Sequence, residues 1–111
     1  MVLLLIVLND PRYLEDVLSA LVEVGITQAT LVDSTAMGQA LAEHVPIFAG
    51  LRHELWNRPY TKLILARLEK EEVVDELLEI LKEVDVDFEE GKAGMLLTIP
   101  VSRSVGSTVT F

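Results

Sequence analysis

Residues 2–8 of this chain read VLLLIVL, and the next three residues, Asn9, Asp10 and Pro11, end the apolar run abruptly. The run is far shorter than the roughly 20 apolar residues that a membrane-spanning helix needs. Neither a positively charged segment before it nor a small-residue cleavage site after it suggests a secretory leader. The run therefore predicts a buried strand that is apolar on both faces. We expect a cytoplasmic protein without membrane insertion.

The patterns that follow alternate between helix and strand. Asp10 and Pro11 are typical of a helix start, because the carboxylate caps free N–H groups and proline lacks one of them. Gly25 is typical of a helix end. In chain order, the predicted elements are a strand at 2–8, a helix at about 11–24, strands at 26–33 and 62–68, a helix at about 71–84, a glycine turn at 91–94 and a strand at 95–101, near whose end stands Pro100.

The order β-α-β-β-α-β predicts an α+β fold of the ferredoxin-like type, in which a four-stranded, mostly antiparallel sheet carries two helices on one face. A length of 111 residues suits one core, since domains of about 100–150 residues are the commonest size. We therefore predict a single domain over residues 1–111.

The charge is strongly negative and strongly localised. The chain has 18 acidic and 9 basic residues, a net charge of −9, and eleven of the acids with only two bases fall within residues 69–90. We interpret this stretch as a solvated helix face, with a cation site as the alternative. Nucleic acid is not an expected partner, because phosphate backbones are bound by clustered Lys and Arg. The absence of cysteine excludes disulfides, thiolate metal sites and cysteine nucleophiles.

The strands are too apolar for a sheet that exposes one face to solvent. An antiparallel sheet exposed on one side alternates apolar and polar residues, whereas residues 2–8, 63–66 and 95–97 are apolar at every position. Two helices cover only one face, and soluble monomers rarely expose large apolar patches. We therefore predict a homo-oligomer whose sheet faces are buried against each other.

A long connection, residues 34–60, separates the second and third strands. Hairpin connections usually have 2–5 residues, and much longer ones are often functional. Residues 36–43 are compatible with a short helix, and Arg52, Trp56 and Arg58 suggest a surface that contacts a partner protein. The alternative is that the apolar residues of this loop pack on a neighbouring subunit.

Several segments, taken in order, resemble the PII-like signal-transduction proteins, the nitrogen regulatory PII superfamily. The resemblance begins at the stretch EVGIT, residues 23–27, with Thr30 after it, and continues through Gly38, the long loop, Pro59 and Lys62. It ends with the glycine turn before Met95, with Pro100-Val101 and with Arg103. It spans nearly the whole chain, although no single segment is specific.

The resemblance implies a homotrimeric signalling protein that binds a small effector, such as an adenine nucleotide, in clefts between subunits and contacts a target protein through its long loop. The residues that match or neighbour the family's binding positions are Thr30, Gly38, Gln39, Lys62, Gly91, Lys92 and Gly94. The sequence departs from the family where basic residues are expected, at Met95, Gly106 and Thr108. Turn geometry for the glycines, and an ordinary strand position for Thr30 and Lys62, are the alternative interpretations.

Two other function classes remain open. His44 and His53, with Glu43 and Glu54, suggest a divalent-metal-binding trimer of the related CutA-like kind. Asp33, Glu43 and Glu54 are candidates for acid–base chemistry in a small cleft enzyme. Neither set has a recognisable motif spacing, so we predict no catalytic or metal-binding residues and favour a regulator that is not an enzyme.

Overall fold

The computed structural model describes residues 1–51 and 61–110. Its centre is a four-stranded sheet in the order β2-β3-β1-β4, formed by β1 (Val2–Leu8), β2 (Thr30–Asp33), β3 (Lys62–Leu68) and β4 (Gly94–Pro100). Every pair of neighbouring strands is antiparallel. The predicted α+β class with a four-stranded antiparallel sheet is therefore confirmed, and the bounds of the first and third strands agree with the prediction.

The connections interleave two crossover units. Helix α1 (Leu14–Glu23) joins β1 to β2, and helix α3 (Glu72–Glu83) joins β3 to β4. Since β3 lies antiparallel between β1 and β2, those two strands run parallel with one strand between them. The same relation holds for β3 and β4 across β1. Each unit is a β-α-β connection split by a strand of the other unit.

The start of α1 follows the predicted capping chemistry. The Asp10 carboxylate accepts a hydrogen bond of 2.9 Å from the Arg12 backbone N–H, and Pro11 occupies the first helical position. Residues Pro11–Tyr13 form one 3-10 turn before the α-helix begins at Leu14. At the other end, Gly25 adopts a positive φ of 84° and donates to the Val22 carbonyl, which ends the helix.

The core lies between the sheet and the two crossover helices. Along β1, residues 2, 4, 6 and 8 are buried and residues 3, 5 and 7 are half-buried. The buried positions pack with those of β3 and with the apolar sides of both helices, and Leu4, Ile6, Leu77 and Leu81 are fully inaccessible. Helices α1 and α3 contact each other and cover the same face of the sheet.

Two strand boundaries differ from the prediction. The second strand was expected to begin at Ile26 but begins at Thr30. The Ile26 N–H donates to the Leu21 carbonyl at 2.8 Å and so belongs to the end of α1, and the carbonyls of Thr27 and Gln28 accept hydrogen bonds from the hydroxyls of Thr110 and Thr108. The last strand begins one residue early, at Gly94, and ends at Pro100. Proline cannot donate to a ladder, and it stands at the end of an edge strand, as expected.

The long connection contains a helix of its own. Helix α2 (Met37–His44) lies within one residue of the predicted helix at 36–43 and packs against a 3-10 segment, Pro46–Leu51. The described residues therefore contain three α-helices rather than the expected two. In the same described ranges, no helix combines the length and the apolar character needed to cross a membrane.

The acidic stretch occupies the outer side of α3 and the turn after it. Glu72, Asp75, Glu76 and Glu79 are all exposed, as the solvated-face interpretation expects. In the last turn of the helix, Lys82 donates a hydrogen bond of 3.1 Å to Glu89, and this bond together with the attraction of the same carboxylate raises the pKa of Lys82. Helix α3 therefore presents an apolar side to the core and an acidic side to solvent.

The second face of the sheet, which we call the open face, lies opposite α1 and α3. The pairing register brings nine apolar side chains to it: Leu3, Leu5, Val7, Val32, Leu63, Leu65, Met95, Leu97 and Ile99. On β4 these side chains are 41–49% exposed. Thr30 and Arg67 are the polar positions of this face. The prediction of a sheet that is apolar on both sides is thus confirmed for the single chain.

A core substitution on α3 tests this arrangement. Replacing the inaccessible Leu77 by alanine should lower the free energy of unfolding by about 2–5 kcal/mol, because a large buried side chain is lost and a cavity remains. Urea denaturation measures the change. The matched control is Glu76→Ala on the exposed side of the same helix, for which we expect a change within about 0.5 kcal/mol. Equal effects of the two substitutions would contradict the orientation of the helix.

Candidate functional site

The chain after β4 crosses one end of the open face. We call residues 101–110 the C-terminal segment. It leaves the edge strand where the Val101 N–H donates to the Met1 carbonyl at 3.1 Å. It then meets Arg67 on β3 and reaches residues 27–28 before β2, where the Thr108 hydroxyl donates to the Gln28 carbonyl at 3.1 Å. The segment therefore spans the sheet from the β4 edge to the β2 edge.

Arg67 is the main anchor of this segment. Its Nη1 donates to the Ser104 hydroxyl at 2.6 Å and to the Gly106 carbonyl at 2.7 Å. Gly106 adopts a positive φ of 89°, a conformation that a glycine takes without strain. At the end of the segment, the Thr110 and Thr27 hydroxyls lie 2.9 Å apart. Among the described residues, the hydrogen bonds that hold the segment beyond Val101 therefore involve side chains of the segment or the Arg67 guanidinium.

A cleft of about 390 Å³ lies between the C-terminal segment and the open face. Its floor is formed by Leu3, Leu65 and Ala66, and its rim carries the polar groups of Gln28, Thr30 and Arg67. The segment supplies the opposite wall with residues 104–108, whose sequence is SVGST. Pockets that bind small molecules have volumes of about 300–1,000 Å³ and combine apolar walls with a few polar groups, so this cleft has suitable dimensions and chemistry.

The sequence-predicted residues fall at both ends of the sheet. Thr30 lines the cleft. Lys62 lies at the opposite end of β3, where it forms an ion pair with Asp33. In the strand register Lys62 is opposite Leu8 of β1, and Leu8 is opposite Gly94 of β4. Two strand spacings place the Cα atoms of Lys62 and Gly94 about 10 Å apart. Within one chain, Lys62 and Gly94 therefore share one end of the sheet and Thr30 lies towards the other.

The remaining predicted residues follow β2 and α3. Gly38 and Gln39 are in the first turn of α2, and the Gln39 side-chain amide donates to Glu43 at 3.5 Å. Among the described residues, no partner meets the buried side-chain oxygens of Ser34 and Gln39. Gly91 and Lys92 lie in the turn that leads to β4. The structure thus places Gly91, Lys92 and Gly94 in one turn and strand start, as the sequence indicates.

The backbone alone accounts for Gly94. It has a φ of 141°, and a Cβ atom placed on it would lie 1.8 Å from the carbonyl oxygen of Val7 on the neighbouring strand. Gly91 also has a positive φ, 78°, but a Cβ there would meet no atom within 4 Å. The close approach of β1 and the positive φ therefore explain why residue 94 is a glycine. The alternative interpretation, in which backbone geometry alone requires this glycine, is sufficient here.

Three predicted partner-contact residues, Arg52, Trp56 and Arg58, lie outside the described residues, as does His53. His44 is described, and its Nε2 lies 3.9 Å from the Glu43 carboxylate. In residues 1–51 and 61–110, no three His, Asp or Glu side chains come close enough to hold a metal ion.

The cleft residue that sequence reasoning missed is Arg67. Its signal was present: Arg67 interrupts the apolar run of residues 63–68 at a position where period two directs the side chain to the open face. For residues 104–108 the family resemblance had marked Gly106 and Thr108 as positions of expected basic residues. The segment has no periodicity, however, so the sequence did not indicate which strand it would contact.

Comparison with known proteins adds no family assignment. No protein-family model matches this sequence, and no curated protein matches it.

The two turn glycines provide a test of the structural interpretation. Gly94→Ala should lower the free energy of unfolding by at least about 2–3 kcal/mol, because the new Cβ collides with the β1 backbone in a strained conformation. Gly91→Ala is the control and should cost about 1–2 kcal/mol, the usual penalty for a left-handed residue with a Cβ. Thermal or urea unfolding measures both. A Gly94→Ala protein as stable as the parent chain would contradict the close approach.

Proposed function

We propose that this chain is a PII-like regulatory protein: a homotrimer with a ferredoxin-like fold that binds a small effector in a cleft at the subunit boundary and contacts a target protein through the loop at residues 34–60. The observation that carries the proposal is the open face. Nine apolar side chains on the open face of the sheet require a partner surface, and other copies of the same chain in a closed assembly satisfy that requirement. The number of copies, three, is what the family resemblance implies.

The topology supports the ferredoxin-like assignment. Two split β-α-β units interleave in one antiparallel sheet, and both crossover helices lie on the same face. This arrangement follows the β-α-β-β-α-β motif, with helix α2 as an addition in the long connection. Because the two crossover helices occupy one face, the fold leaves the other free for contacts between subunits.

The cleft supports the effector-binding part of the proposal. It borders the open face and is lined by Thr30, one of the residues that the family resemblance singles out. A subunit packed on the open face would therefore lie next to the cleft. The basic residues that the family would supply at 95, 106 and 108 are Met, Gly and Thr in this chain, so an adenine nucleotide, if bound, needs its charge met by other residues.

The partner-contact role of the long loop depends on composition. The loop carries Arg52, Trp56 and Arg58, and Trp and Arg are enriched at the energetic centres of protein interfaces. The metal-binding and enzymatic alternatives remain predictions. Stabilisation of the chain by a divalent cation, lost in both His44→Ala and His53→Ala, would favour the former, and turnover of a substrate the latter.

A charge placed on the open face tests the assembly. Leu97→Lys introduces an ammonium group at the centre of the exposed part of β4, and burial of an unpaired charge is costly. Sedimentation velocity should show a trimer for the parent chain and a monomer for Leu97→Lys at the same concentration.

The matched control for this experiment is Val84→Lys. Val84 is 47% exposed, similar to the 41% of Leu97, but it follows α3 on the helical side of the sheet. We expect this variant to sediment as the parent does. A monomeric parent chain, or equal dissociation by both substitutions, would contradict the proposed interface.

A further inference from the structure

Arg67 is an exposed cation that lacks a carboxylate partner among the described residues. The chain carries twice as many acids as bases, and other cations among the described residues pair with carboxylates, as Arg12 does with Asp10 and Lys62 with Asp33. Within the described part of the chain, Arg67 instead donates hydrogen bonds to neutral oxygens, those of the Ser104 hydroxyl and the Gly106 carbonyl. None of the described residues that line the cleft under the C-terminal segment is acidic; Glu69 lines a second cleft that Arg67 also borders. The site is therefore electrostatically distinct from the strongly acidic protein around it.

The Arg67 guanidinium is also held in place by Nη1 alone, so its other N–H groups can serve as donors. Both contacts to the C-terminal segment use Nη1. A guanidinium has five N–H donors, two on Nη1 and three along the edge formed by Nε and Nη2. The contacts to the C-terminal segment use none of these three. That edge matches the two oxygens of a carboxylate or a phosphate, which accept parallel hydrogen bonds from it. Anchoring of Nη1 reduces the conformational entropy that Arg67 would otherwise lose on binding.

The remainder of the cleft suits the body of an organic molecule. Leu3, Leu65 and Val105 provide apolar surface, while the hydroxyls of Thr30, Ser107 and Thr108 provide neutral donors and acceptors. A volume of about 390 Å³ exceeds what an inorganic anion needs and suits a small ring compound. The combination of one cation, several hydroxyls and an apolar floor favours an anion attached to an apolar body.

The geometry points to a binding site for a small organic anion in this cleft, with the Arg67 guanidinium binding its carboxylate or phosphate and the floor at Leu3 and Leu65 contacting its apolar part. The inference rests on the proposed role as an effector-binding protein, and it assigns to Arg67 the charge that the sequence does not supply at positions 95, 106 and 108. Since Arg67 also anchors the C-terminal segment, binding should alter the environment of residues 104–108.

The test uses phenyl phosphate and phenylacetate as anionic probes and benzyl alcohol as their neutral counterpart. Titrations of the full chain are followed by amide NMR shifts. We expect both anions to shift the signals of Thr30 and of residues 104–108 in a saturable manner, and the alcohol to shift them weakly. Arg67→Met should raise the dissociation constant for phenyl phosphate at least about tenfold, because it removes a charge-assisted hydrogen-bond pair.

Two further variants separate charge from structure. Arg67→Lys keeps the charge but loses the planar fork, so its affinity should lie between those of the parent and Arg67→Met. Arg12→Met removes a cation at the other end of β1, where Arg12 pairs with Asp10, and should leave the dissociation constant within about twofold, as expected for a remote site. Amide spectra of all variants establish that they are folded.

Several results would overturn the inference: no saturable shifts with either anion, equal binding of the alcohol, or parent-like affinity in Arg67→Met. Shifts centred on Gly91–Gly94 instead of the cleft would also overturn it while leaving the proposed effector-binding function intact. A monomer in sedimentation velocity, in contrast, would count against the proposed assembly and not against the Arg67 site.

Discussion

The structure depends on one constraint, which is that strand β1 must bury both of its faces. All seven of its residues are apolar, and it lies in the sheet between β3 and β4. Helices α1 and α3 satisfy the requirement for the even-numbered positions, which are buried. Residues 3, 5 and 7 face the other way, together with apolar residues from all three remaining strands. In our account a second copy of the chain completes this half of the core.

The same constraint explains how much of the fold could be predicted. Strands β1 and β3 contain continuous apolar runs and helix α3 has a strong helical period, and the bounds of all three were predicted to within one residue. The start of β2 was wrong by four residues. The Ile26 N–H closes the end of α1, and the carbonyls of Thr27 and Gln28 accept from the hydroxyls of Thr110 and Thr108, about 80 positions away in the chain. Tertiary contacts of this kind leave no local pattern at residues 26–29.

The candidate site shows a similar division. Gly91, Lys92 and Gly94 were expected together and lie together, and Thr30 lines a cleft, while its binding role stays a prediction. The backbone approach of β1 explains Gly94 without any ligand. Arg67 and the C-terminal segment were missed, since their association becomes visible only when the segment is seen crossing the sheet. This crossing places a cationic cleft beside an apolar face, so that in our proposal the assembly surface and the binding surface adjoin each other.

The measurement that tests this account most directly is native mass spectrometry of the unmodified chain under gentle conditions. We expect a mass of several copies, because the open face must be covered, and of three copies in particular, because the PII-like resemblance implies a trimer. Any retained small molecule would add its mass to the trimer. The mass of a single copy, at concentrations where the protein is folded, would contradict the account of the open face and the PII-like assembly built on it.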